Sequence, residues 1–148
     1  MAEYLANSVQ TVAINTPVIL NASMRCTKGL VIHENGTGVF ILRSPGPNCK
    51  TRYQITFNAN IAIPEGGTVG PIAIAIVMNG EPILTSRAIV TPAAVGDYFN
   101  VTSTKNIDIP TGCCFNIAIE PVTPYNDATA PLPAIDIQNS NLVINRVG

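Results

Sequence analysis

The stretch Tyr53–Val90 reads YQITFNANIAIPEGGTVGPIAIAIVMNGEPILTSRAIV, and its patterning decides the class of the fold. Tyr53, Ile55, Phe57, Ala59 and Ile61 alternate with Gln54, Thr56, Asn58 and Asn60. Successive side chains of an extended strand point to opposite faces, so this run has one apolar and one polar face. Pro64-Glu65-Gly66-Gly67 breaks the chain, after which Ile72, Ile74, Ile76 and Met78 alternate with Ala73, Ala75 and Val77. Asn79-Gly80 follows, and a third run returns from Ile83 to Val90. Period-two runs flanking Asn-Gly are a strong hairpin signal, because a type I′ turn needs positive φ at both central residues. The centre of the chain is therefore antiparallel β.

The second run is apolar on both faces, and such a strand is buried on both. The cover over Ala73, Ala75 and Val77 is either another sheet or another subunit packed on these small residues. Arg87 sits in the otherwise apolar third run, where a charge must be paired or reach solvent. A polar contact across a subunit interface, to Asp97 or Glu81, and an inward charge guarding an edge strand are its two sharper readings.

Working outward, Val9–Ile14 and Val18–Leu20 are extended pieces joined at Asn15-Thr16-Pro17, and residues 1–8 look like a short arm. Leu30–His33 and Val39–Leu42 flank the turn residues Glu34–Gly38, and residues 43–50 are a loop by composition. Residues 91–97 connect to a long strand, Tyr98–Ile109, and Pro110-Thr111-Gly112 turns into another, Cys113–Glu120. Residues 121–133, PVTPYNDATAPLP, are too Pro-rich for a central strand and read as an exposed loop, with Tyr125, Asn126 and Asp127 as candidate binding residues. Ala134–Gln138 and Leu142–Val147 close the chain around a turn at Asn139-Ser140-Asn141. About eight to ten short strands at even spacing, with no significant helix, predict an all-β antiparallel jelly-roll sandwich over residues 9–148.

Composition narrows the function. The chain has 148 residues, enough for one domain with a real core. Only 11% are charged, where soluble chains usually carry about a quarter. Either part of the surface is hidden in an oligomer, or Asn, Thr and Ser carry it. No apolar run approaches the roughly 20 residues of a membrane span, so membrane insertion is not expected. The eight basic residues are scattered, which argues against nucleic acid. Met1-Ala2-Glu3-Tyr4 is not a leader, so a chain kept in a cytoplasm, or delivered by assembly or lysis, is expected.

Catalytic and metal chemistry find little material. His33 is the sole histidine, and the carboxylates stand singly, mostly at turns. A nucleophile needs an adjacent oriented base, and a cupin-like centre needs clustered His and carboxylate ligands. No enzyme activity, metal or cofactor is expected. Of four cysteines, Cys113 and Cys114 are neighbours whose side chains diverge on a strand, while Cys26 and Cys49 flank a strand pair and could approach. Reduced thiols are the default in a chain without a leader.

The runs Arg52–Ile61, Val77–Ile83 and Ile109–Phe115 resemble the core strands of C1q/TNF-like trimeric jelly rolls. Over nearly its whole length the chain also resembles a family of short proteins of gut Clostridia and their prophages. The matching pieces are Met1–Asn7, Thr85–Ala94, Tyr98–Ser103, Gly112-Cys113-Cys114 and Asn141–Val147. The resemblance implies a homotrimeric structural virion protein that decorates a phage capsid or forms a head fibre, without a collagen-like stalk. Met1, Ala2, Glu3, Tyr4 and Leu5 of the arm would then dock on the major capsid protein, and Ala73, Ala75, Val77, Arg87 and Cys114 would line the trimer interface. The alternative is a trimeric adhesin or receptor-binding head at the cell surface, contacting a glycan or host surface through residues 121–133.

Overall fold

A computed structural model describes residues 2–20, 22–25, 31–32, 37–44, 50–110, 114–124 and 134–147. The strands are β1 (Ala2–Ala6), β2 (Gln10–Val12), β3 (Ala22–Arg25), β4 (Val31–Ile32), β5 (Val39–Arg43), β6 (Lys50–Ala62), β7 (Ile72–Met78), β8 (Glu81–Pro82), β9 (Ala88–Val90), β10 (Phe99–Pro110), β11 (Cys114–Val122) and β12 (Ile135–Arg146). One six-stranded sheet runs β10-β6-β12-β1-β3, with β2 also on β12. The other runs β4-β5-β11-β7-β8, with β9 also on β7. All pairings are antiparallel, and the chain is an all-β jelly-roll sandwich.

The alternation of β6 is realised in the packing: Tyr53, Ile55, Phe57, Ala59 and Ile61 are buried in the core. Ile72, Ile74 and Ile76 of β7, Phe40 and Leu42 of β5 and Ile117 and Ile119 of β11 join them in one apolar cluster. Asn79 and Gly80, at φ 50° and 83°, form the expected tight turn between β7 and β8.

The arm expected at residues 1–8 is corrected. Residues 2–6 are β1, an interior strand hydrogen-bonded to β12 on one side and β3 on the other. Ala2, Tyr4 and Ala6 are buried. The Tyr4 ring meets the Phe40 ring of the opposite sheet at a centroid distance of 4.7 Å, tilted by 55°. Alternation explains the outcome: Ala2, Tyr4 and Ala6 make a short inward face that the sandwich needs.

Three further expectations give way to local geometry. The run Ile83–Val90 is not one strand: a 3-10 turn at Leu84–Ser86 interrupts it. There the Ser86 hydroxyl stands in for a strand neighbour, accepting from the Ile76 N–H at 2.9 Å and donating to the Ile83 carbonyl at 2.6 Å. Pro121 lies inside β11, opposite Ile74. The β11–β5 pairing has already ended at Ala118–Val39, so the missing N–H of proline falls on a side with no strand ladder to break. Asn139–Asn141 is not a hairpin turn but a bulge within the continuous β12, where the register to β6 shifts and Asn139 takes φ 52°.

Gly38 is a point of close approach, since a Cβ there would run into the Val18 carbonyl and lie 2.6 Å from Pro17 Cβ. Gly38→Ala is therefore expected to cost about 1–3 kcal/mol through overpacking. Tyr4→Ala should cost about 3–5 kcal/mol, as for other buried aromatics. Urea unfolding checks both, and a chain lacking residues 2–6 should lose cooperative unfolding altogether.

Candidate functional site: the two outer faces

The two sheets differ in what they turn away from the core. On the first sheet the outward residues of β6 are Arg52, Gln54, Thr56, Asn58 and Asn60, set opposite Asp108, Asn106, Thr104, Thr102 and Asn100 of β10. Amides and hydroxyls dominate, and they bond to one another across the strands. Asn100 Nδ2 donates to Asn58 Oδ1 at 2.7 Å and to Asn60 Oδ1 at 3.1 Å. The Thr56 and Thr104 hydroxyls lie 3.2 Å apart. At the far end Arg52 grips Asp108 with two hydrogen bonds, of 2.7 and 3.1 Å. This pair raises the Arg52 pKa, chiefly through the hydrogen bond.

Across β12 the row continues with Asp136, opposite Ala62, and Gln138, opposite Asn60. Thr11 of β2 donates to Asp136 Oδ1 at 2.5 Å. Tyr98, just before β10, is exposed, and its phenol pKa is raised by partial burial and by the Asp136 charge.

The second sheet turns out a different surface. Its outward residues include Val39 and Ile41 of β5, Ala118, Glu120 and Val122 of β11, Ala73, Ala75 and Val77 of β7, and Ile89 of β9. Within the single chain Ala73, Ala75 and Val77 are already 0–2% exposed. Ala73, Ala75 and Val122 form a small second apolar cluster. These three β7 residues, expected at a subunit interface, are thus covered by the chain itself.

Arg87 contributes to that cover. It precedes Ala88, which pairs with Ile74 from one side of β7, while Thr123 follows Val122, which pairs with Ala73 from the other. Its Nη1 donates to the Thr123 carbonyl at 3.3 Å. The half-buried side chain therefore crosses β7 where the alanines leave room, with its stem on apolar surface. This bond within the chain stands beside the expected contact to Asp97 or Glu81 of another subunit. The role of inward charge on an edge strand belongs instead to Lys105, on terminal strand β10 opposite the core residue Ile55.

Of the other expected site residues, Cys114 is exposed at the start of β11, opposite Arg43. Glu3 and Leu5 are half-buried on β1, with Glu3 Oε1 accepting from Asn141 Nδ2 at 2.9 Å. Met1, the loop residues Tyr125, Asn126 and Asp127, the cysteines Cys26, Cys49 and Cys113, and His33 lie outside the described residues. Among the described residues, no group of three or more His, Cys, Asp or Glu could hold a metal ion. Sequence patterning alone points to neither the Asn58–Asn60–Asn100 array nor Tyr98. The alternating polar face of β6 was the available signal, but its partner on β10 depends on register.

No protein-family model and no curated protein matches the chain. Among solved structures it is similar to the globular domain of zebrafish complement 1qA protein, at 15% identity and a TM-score of 0.51, over 96% of this chain and 94% of that one. It is also similar to the C-terminal domain of EclA, a sugar-binding protein, at 17% identity and a TM-score of 0.37, over 80% and 84% of the two chains. A family 35 carbohydrate-binding module from an environmental isolate superposes at 16% identity and a TM-score of 0.35, over 100% and 98%. The first likeness shows a C1q-like jelly-roll fold; the other two superpose too loosely to carry an argument.

Glu120 sits opposite Ala75 on the apolar outer face, and partial burial raises its carboxyl pKa above the usual value. A carboxyl with a raised folded-state pKa binds its proton more tightly when folded. Its contribution to stability is thus fully present below the unfolded pKa and is lost as pH rises through the folded pKa. Glu120→Gln should melt above the native protein at pH 7, with the gap closing by about pH 4, near the unperturbed value for Glu. Thermal melts across that range check the sign.

Proposed function

We propose that this chain is a non-enzymatic structural domain that assembles as a homotrimer and decorates the head of a phage particle. One observation carries the assembly: the apolar outer face of the second sheet. A sandwich needs one apolar face per sheet, and antiparallel sheets commonly turn a polar face to water. The first sheet follows this rule. The second leaves Val39 at 42% and Ile89 at 43% exposure, beside half-buried Ile41. Its neighbours on that face, Ala118, Val77 and Ala73, are buried.

Three copies around an axis would remove Val39, Ile41 and Ile89 from water. The low charge of the chain supports the same reading, since little charge would need desolvation at such an interface. The interface is drawn from these residues, with Cys114 at its margin, and not from the already covered Ala73 and Ala75. The phage setting rests on the sequence blocks Thr85–Ala94, Tyr98–Ser103 and Asn141–Val147. Contact with the major capsid protein would use a surface of the folded assembly, because Ala2 and Tyr4 are committed to the core.

Light scattering after gel filtration should return three times the 15.6 kDa chain mass. A Val39→Glu/Ile89→Glu variant should run as a monomer with its cooperative melt retained. A native protein of monomer mass would remove the trimer. Immunogold labelling of particles from a strain carrying the gene should decorate heads at regular spacing; label confined to tails or cells would remove the decoration role.

A further inference from the structure

We infer that the outer face of the first sheet carries a binding site for a neutral oligosaccharide, with the Tyr98 ring as its platform and the Asn58–Asn60–Asn100 amides as its polar array. This site lies on the opposite side of the sandwich from the proposed assembly surface, and it stands whether or not the chain is trimeric or phage-borne.

The amide array is fixed in a definite sense. A side-chain amide has two N–H donors and a carbonyl with two lone pairs. Asn100 Nδ2 donates to both Asn58 and Asn60, so both its N–H bonds are engaged. These two bonds do not use the Asn100 carbonyl or the amino groups of Asn58 and Asn60. The strands thereby hold one acceptor and two donor groups in reserve, on side chains ordered by their mutual bonds before any ligand arrives. A sugar hydroxyl both donates and accepts, and vicinal hydroxyls match such an array. Ordering these side chains in advance lowers the entropic cost of binding.

Tyr98 supplies the second element. It lies two residues before Asn100, and two residues of extended chain span about 7 Å, comparable to one sugar ring. An exposed aromatic ring offers a flat apolar surface with a negative π face, suited to the slightly positive C–H groups of a pyranose. Ala62, two residues beyond Asn60, ends β6 opposite Asp136. Ala62 is fully buried there, and the Asp136 carboxylate opposite it is steadied by Thr11. Gln138, opposite Asn60, extends the polar row toward β12.

Charge decides the class of ligand. Among the described side chains of β6 and β10, the basic one on this face is Arg52, which lies at the far end of β6 and is neutralised by Asp108. Beside Tyr98 the charges are carboxylates, Asp136 across the sheet and the exposed Asp97 next in sequence. An anionic glycan or a nucleic acid would meet repulsion from these carboxylates, whereas a neutral chain meets directional amides.

The test uses the full-length protein on an array of neutral hexose and N-acetylhexosamine oligosaccharides, with sialylated and sulfated glycans alongside. Neutral glycans should be bound, with affinity unchanged between low and high salt. Tyr98→Ala should weaken binding at least tenfold, and Tyr98→Phe, which keeps the platform, should restore most of it. Asn100→Ala should weaken binding similarly, and melting curves will show whether each variant keeps its fold. Thr104→Ala, farther along β10, should bind as the native protein does. Absence of binding to any neutral glycan at millimolar concentration would overturn the proposal, as would binding that survives Tyr98→Ala and Asn100→Ala together. Preference for the anionic glycans would overturn the assignment to neutral sugars. Chain mass measured on the same samples reports separately on the trimer.

Discussion

The alternation along β6 is the constraint on which the rest of the molecule depends. Its inward residues, from Tyr53 to Ile61, are buried against β7, β5 and β11, and both long strands of its sheet, β10 and β12, take their register from it. A slip of one residue would turn Asn58 and Asn60 into the core and Phe57 out to water. The 13-residue length of β6 lets a single strand impose this choice on both neighbours. The polar array on its outer face follows from the same register.

The second sheet is organised by a different requirement. β7 is apolar on both faces, so after packing Ile72, Ile74 and Ile76 inward it still has Ala73, Ala75 and Val77 to cover. Small residues make this cover inexpensive. They lie low on the sheet, and the stem of Arg87 can cross them to reach Thr123. The 3-10 turn at Leu84–Ser86 belongs to the same solution, since it carries the chain between β8 and β9 while Ser86 serves the backbone of Ile76. Ser103 of β10 donates to the Ser86 carbonyl at 2.6 Å and ties this corner to the first sheet.

Much of the fold is legible in local patterning. The alternating runs, the Asn79-Gly80 turn and the absence of helical periodicity lead directly to an antiparallel sandwich, and the C1q-like resemblance of the core strands agrees with the observed fold. Other features resist such reading for physical reasons. Tyr4 sits in a run of five residues, too short for its alternation to stand out, and it is buried because Phe40 waits on the opposite sheet. Pro121 reads as a strand breaker, yet it is tolerated where a neighbouring strand has ended. Asn139 reads as a turn, yet the strand resumes beyond it because Leu142 and Ile144 must return to the core. The candidate site shares this character: each amide is visible in the sequence, but their meeting is a property of register.

By itself the sequence determined the class, the alternating faces of β6 and β7 and the tight turn at Asn79-Gly80, because these depend on neighbours within a few residues. Only the tertiary structure decided that residues 2–6 are core rather than arm, that Arg87 closes over β7 within its own chain, and that Asn58, Asn60 and Asn100 join into one array. Each of these brings together groups some 36 or more positions apart. Contacts across such separations are set by the packing of whole sheets, which no local pattern encodes.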